Sequence, residues 1–214
     1  MIRRDYFIKL VQELSAVLLR IVSLKAQREY AAALHEIDCA LEKYLGLKPE
    51  EALSDNLDHV LSLCGREGGP ISESLNILAE VFYEQSEIFK IQQDAAGERR
   101  AALLSLGLYL EAIRSGTVSL DMLKKIDGLI ESVADEPLST PVLRRLFGYL
   151  EDRGLYAKAE DVLYDWLERE ESNAIEQGLA FYTRLLDKPD EELAHGNLPR
   201  AEVLEGKRKL VQRR

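Results

Sequence analysis

Apolar residues at spacings of three and four run through most of the chain, the signature of amphipathic helices. Phe7, Leu10, Leu14, Val17, Ile21 and Leu24 form one stripe and predict a long helix over Asp5 to Ala26. Ile8, Val11, Leu18 and Val22 add a second apolar strip, wider than one neighbour covers, so this helix is expected to meet partners on two sides. Gln27, Arg28 and Glu29 make a turn. Ala33, Ile37, Ala40, Leu41 and Tyr44 then form the inner face of a second helix that Gly46 is placed to end. Pro49 starts a short helix with Leu53, Leu57, Val60 and Leu61, and the Gly65 to Pro70 stretch closes it and offers an internal boundary. Leu75, Leu78, Phe82 and Phe89 predict a long helix to about Gln92, paired with one from Gly97 to Ser115. Further helices follow over Thr117 to Ala134, Pro141 to Asp152 and Tyr156 to Glu170. Asn173 and Glu176, spaced as an N-cap and its glutamate, open the last one.

Around Tyr30 and again around Tyr156 the same device recurs: an aliphatic helix, a short polar turn, Tyr, Ala three residues on and an aliphatic seven on. Overlaying the two also matches Val17 with Leu143, Ile21 with Phe147, Leu24 with Leu150 and Ile37 with Leu163. These residues resemble tetratricopeptide repeats, whose paired helices use aliphatics, a turn Tyr and small alanines. Ile21 and Phe147 stand where that family prefers Gly, and Trp166 stands where Ala40 is the small residue of the first copy. Leu106, Gly107 and Leu110 look like a first helix of the family, but Gly116 takes the place of the Tyr. Met1 to Tyr6 and Arg28 through Leu47 are also similar to an uncharacterised bacterial family, a domain of unknown function with tetratricopeptide-like hairpins. The resemblance implies an all-α fold, an irregular right-handed stack of about three antiparallel helical hairpins, and no known activity. A single helical domain over 1–195 with a basic tail over 196–214 is expected.

Composition narrows the function class. The chain has 214 residues, 46% hydrophobic and 31% charged, six prolines and a formal charge of −10. That charge opposes nucleic-acid binding, which draws its affinity from Lys and Arg on phosphates. Cys39 and Cys64 lie in no metal-spaced cluster and read as small apolar residues of a reducing compartment. Charges interrupt the apolar N-terminus, so neither signal peptide nor membrane span is expected and the cytoplasm follows. From Gly196 the chain looks poor in apolar residues and rich in Lys and Arg. This tail is expected to dock on an acidic face of the molecule or stay disordered, with RNA or an anionic partner as the alternative.

Candidate chemistry is sparse. Glu192 and His195 have the i, i+3 spacing of half a carboxylate-bridged metal site, and a solvated surface pair explains them better. His35 and His59 are read as surface residues outside any nucleophile and base arrangement. Gly65, Gly68 and Gly69 lack the Lys and Ser/Thr of a phosphate cradle, and the acidic runs suit solvated faces better than calcium. No catalytic, cofactor or metal residue is expected. If hairpins stack, their first helices line a groove in which Leu18 and Val22, then Asn76, Glu80 and Tyr83, then Arg144 and Glu151 face inward. The apolar first pair suits a helix or hydrophobic peptide, unless the chain's own C-terminal helices or a second copy cover it. The expected function is a non-catalytic scaffold or adaptor for a protein or peptide segment, with self-association through the first helix. A small-molecule or peptide sensor and an enzyme assembled from distant residues are the alternatives.

Overall fold

A computed structural model describes residues 2–48, 57–65, 71–116, 118–134 and 136–213. The helix start at Pro49, Leu53, most of the 65–70 boundary and the side chains of Phe7, Ile8 and Leu10 lie outside the described residues. Eleven helices and no strands occur among those described: α1 (Ile2–Ala26), α2 (Tyr30–Leu45), α3 (Leu57–Gly65), α4 (Ile71–Ile91), α5 (Ala95–Arg114), α6 (Leu120–Ser132), α7 (Thr140–Asp152), α8 (Tyr156–Leu167), α9 (Glu171–Leu186), α10 (Asp190–His195) and α11 (Arg200–Arg213). They form two compact units, Met1–Pro137 and Leu138–Arg214.

The helix pairs α1/α2, α4/α5 and α7/α8 turn on one backbone device. Arg28, Gln93 and Gly154 each adopt left-handed φ, of 63°, 61° and 71°. The next residue donates its N–H to a carbonyl five back: Glu29 to Leu24, Asp94 to Phe89, Leu155 to Leu150, at 2.9–3.0 Å. That bond closes the old helix. The carbonyls of Glu29, Asp94 and Leu155 then accept the first bonds of the new one, from Ala33, Glu98 and Ala159. The middle pair has no Tyr at its turn, so the Tyr pattern marks only two of the three. Instead Asp94 caps α5, its carboxylate accepting from Gly97 N–H at 2.9 Å.

In the first unit α5 is the central helix: Ala101 to Ala112 are all buried, which a helix achieves only when covered all round. Its small residues permit close approach. A Cβ on Gly107 would lie 2.4 Å from Leu57 of α3, and one on Gly97 2.8 Å from Phe89 of α4. Leu106, Gly107 and Leu110 thus belong to the second helix of a pair, not a first one, and the family-like pattern there arises from core packing. Leu14, Val17 and Ile21 of α1 and Ala33, Ile37, Ala40 and Leu41 of α2 are buried where those helices pack. Gly46 ends α2 at φ 67°, in the place the sequence suggests.

In the second unit Phe147 and Trp166 are one packing group, with ring centroids 6.0 Å apart, and Phe181 of α9 closes on Phe147 at 5.2 Å. The two bulky departures from the repeat pattern compensate each other. Asn173 lies inside the first turn of α9, which starts at Glu171, so the expected cap is misplaced. The expected tail is ordered and docked on the molecule, but as a helix held by apolar residues: from Arg200 it is α11, with Val203, Gly206 and Leu210 buried where it packs on α9. Gly206 is required there because a Cβ would lie 2.4 Å from the Tyr182 hydroxyl.

Candidate functional sites

The first unit carries a polar seam over α1, α4 and α6. Lys25 of α1 pairs with Glu84 of α4. Lys125 of α6 donates to Glu80 of α4 at 2.7 Å, pairs with Asp121 at 3.0 Å and sits 5.1 Å over the Tyr83 ring. Burial alone pulls the Lys125 ammonium down, but Glu80 and Asp121 together outweigh it and raise its pKa. Beneath them lies Tyr109 of α5, fully buried, whose phenol is held protonated first by burial and then by the charge on Glu80. Asn76, half-buried on α4, encloses an Oδ1 that receives no hydrogen bond.

Sequence-selected groove residues divide between the units. Leu18 is half-buried and Val22 is 40% exposed on α1, which packs on the helix of Asn76 and Tyr83. Leu19, which the sequence pattern passes over, is 72% exposed and is the largest uncovered apolar side chain of α1 from Val11 onward. Arg144 belongs to the second unit, where it pairs with Glu170 at 3.6 Å and lies 5.8 Å from the Trp166 ring centroid. Glu151 receives two bonds from Arg184, at 2.7 and 2.8 Å.

Two open clefts lie in the second unit. The first, about 380 Å³, is lined by Glu160 and Tyr164 of α8 and by Glu202, Glu205, Gly206, Lys209 and Arg213 of α11. The Tyr182 hydroxyl rises beside Gly206 and donates to Glu160 at 2.6 Å. Burial pushes the Glu160 carboxyl above the usual carboxylate range; the Tyr182 bond opposes this and the charge on Glu202 adds to it. Such a carboxyl can hold and release a proton nearer neutrality. Glu205 is already paired with Lys209 at 2.9 Å, and the lining includes no Ser, Cys or His. This cleft escaped sequence reading because Glu160, Tyr182 and Glu202 come from three different helices.

The second cleft, about 700 Å³, is lined by residues including Arg153, Tyr156, Arg184, Lys188 and Glu192. Glu192 accepts from Lys188 at 2.5 Å and from the Tyr156 hydroxyl at 2.6 Å, and these two bonds, in that order, lower its pKa. Its carboxylate serves as a clamp between α8 and α10. Among the described residues no group of three or more His, Cys, Asp or Glu is placed to hold a metal. His35, expected to stand apart from any nucleophile, lies with Nε2 3.6 Å from Cys39 Sγ, one turn along α2. Burial raises the Cys64 thiol to about 11, which suits an inert apolar filler.

With these sites in view, comparison with known proteins adds one result: the whole chain, residues 1–214, matches a family of unknown function (DUF6483). The chain belongs to that family. No curated protein and no solved structure matches it. No described helix is long and apolar enough to cross a membrane.

Proposed function

We propose that this DUF6483 chain is a non-catalytic scaffold or adaptor of the cytoplasm, built from irregular tetratricopeptide-like hairpins, that binds an apolar helix or peptide of a partner on α1. One observation carries this reading. In the overlay of the two Tyr hairpins, Leu18, Leu19 and Val22 of α1 correspond to Arg144, Arg145 and Gly148 of α7. Both helices enter the same turn, so the hairpin itself has no need of aliphatics at those positions. On α1 they are nonetheless apolar, and Leu19 and Val22 are exposed. Uncovered aliphatics beside a polar seam suit a partner helix with an apolar face and a charged edge.

The test is affinity capture from native cytoplasm with wild type beside a Leu19→Arg, Val22→Gly variant, which copies the second hairpin. Loss of a partner from the folded variant supports the reading, and identical captured sets contradict it. Sedimentation of the same pair separates a foreign partner from a homodimer through α1.

A second reading, a sensor of small molecules, draws on the Glu160 cleft. There a carboxyl with raised pKa, two tyrosines and cations converge at a volume within the usual range for small ligands. Glu160→Gln abolishing a ligand-induced rise in melting temperature supports it.

A further inference from the structure

The outer face of α11 is chemically unlike the rest of this acidic chain. Leu204 and Val211, seven residues apart, lie on one helical face at 53% and 57% exposure. Lys207 and Arg208 stand between them, three and four residues on from Leu204, and neither makes an ion pair among the described residues. The acids of the helix lie beside that face: Glu202 and Glu205 line the Glu160 cleft, and the Glu205 carboxylate, paired with Lys209, also feels the charge of Arg208. Val203, Gly206 and Leu210 are buried on yet another side, so α11 is fixed on its unit and presents one constant strip to solvent.

We propose that this strip is a docking site for an acidic amphipathic helix of a partner protein. Two aliphatics a heptad apart receive two aliphatic anchors, and the Lys207–Arg208 pair receives carboxylates placed between those anchors. The site lies in the second unit and takes a ligand of different chemistry from the apolar face of α1. A second copy of α11 across a two-fold axis would set Arg208 against Arg208, which like charge opposes. A bilayer would need a wider apolar sector than two side chains on a helix already packed on its other side. Lys207 and Arg208, on a chain of net charge −10, are too few to hold a nucleic-acid backbone.

The probe is a labelled synthetic helical peptide carrying two Leu a heptad apart with Glu three and four residues after the first, read by fluorescence anisotropy against the full chain. Saturable binding that weakens with salt is expected. A Lys207→Glu, Arg208→Glu variant should bind about tenfold more weakly, and a peptide with Lys in place of Glu should restore its binding. Leu204→Ser, Val211→Ser should also weaken binding while leaving the circular dichroism unchanged. The proposal is overturned if wild type fails to bind the acidic peptide or if the charge-reversed variant binds it equally. It is also overturned if phosphatidylglycerol vesicles or single-stranded RNA bind the strip in preference to the peptide.

Discussion

The α1/α2 and α7/α8 hairpins share a turn and differ in what surrounds it. Tyr156 is buried: its hydroxyl reaches Glu192, and its ring lies where a Cβ on Gly196 would come within 2.3 Å. The backbone of α8 is fastened as well, since Ala157 N–H donates to the Gly196 carbonyl at 3.0 Å. Tyr30, its counterpart, is half-buried, and its hydroxyl makes no hydrogen bond among the described residues. In the core the contrast lies in volume, with Phe147 and Trp166 in one hairpin where Ile21 and Ala40 stand in the other. One backbone motif therefore accepts two packings, and the surface opposite the turn is free to diverge between aliphatic on α1 and polar on α7.

Exchanging residues between the hairpins tests this contrast. Trp166→Ala should have the largest effect, destabilising the second unit by about 3–5 kcal/mol through the cavity it leaves against Phe147, as read by urea unfolding. The reverse exchange, Ala40→Trp, should cost about 1–3 kcal/mol by overpacking a buried site, and a neutral result would show that the first hairpin is loosely packed. Tyr156→Phe should lower the melting temperature slightly with the loss of the Glu192 bond, whereas Tyr30→Phe should leave it unchanged. Equal losses would erase the distinction between the two tyrosines.

The smallest effect concerns pH and confines itself to the second unit. The unfolded chain releases the Glu160 proton near the ordinary 4.5, while the folded chain holds it to higher pH. Stability therefore falls as pH rises above 4.5 and levels off once the folded carboxyl has ionised. Glu160→Gln should flatten that part of the melting-temperature profile and raise its neutral end; an unchanged profile would show that Glu160 is not the titrating group.

Helix positions were legible because apolar periodicity survives in a single chain: Leu14, Val17 and Ile21 are buried as their spacing implies, and Gly46 ends α2 where a glycine can. The α4/α5 break was legible between Gln92 and Gly97, but not that it uses the same turn as the other two pairs, since its left-handed residue is Gln93, a side chain that does not advertise the conformation. Helix α11 reads as a tail because Lys and Arg are as numerous as its apolar residues, although Val203 and Leu210 lie on the side that packs on α9. On α1 the pattern located the apolar face but chose Leu18 over Leu19. Neighbouring residues point about 100° apart on a helix, and which is covered depends on where α4 lies. The Glu160 cleft could not be read from spacing, since α8, α9 and α11 meet there only after folding.

The binding role proposed for α1 requires that its exposed aliphatics serve a partner and not the fold. The most direct measurement places Arg, Arg and Gly from the second hairpin at Leu18, Leu19 and Val22, then compares partner capture and sedimentation with wild type, using circular dichroism to confirm the helix. The expected variant is a helical chain that has lost its partner or its dimer. A variant that keeps both would leave α1 without the binding role assigned to it, and a Leu19→Arg, Val22→Gly variant that itself unfolds would show that these residues support the fold.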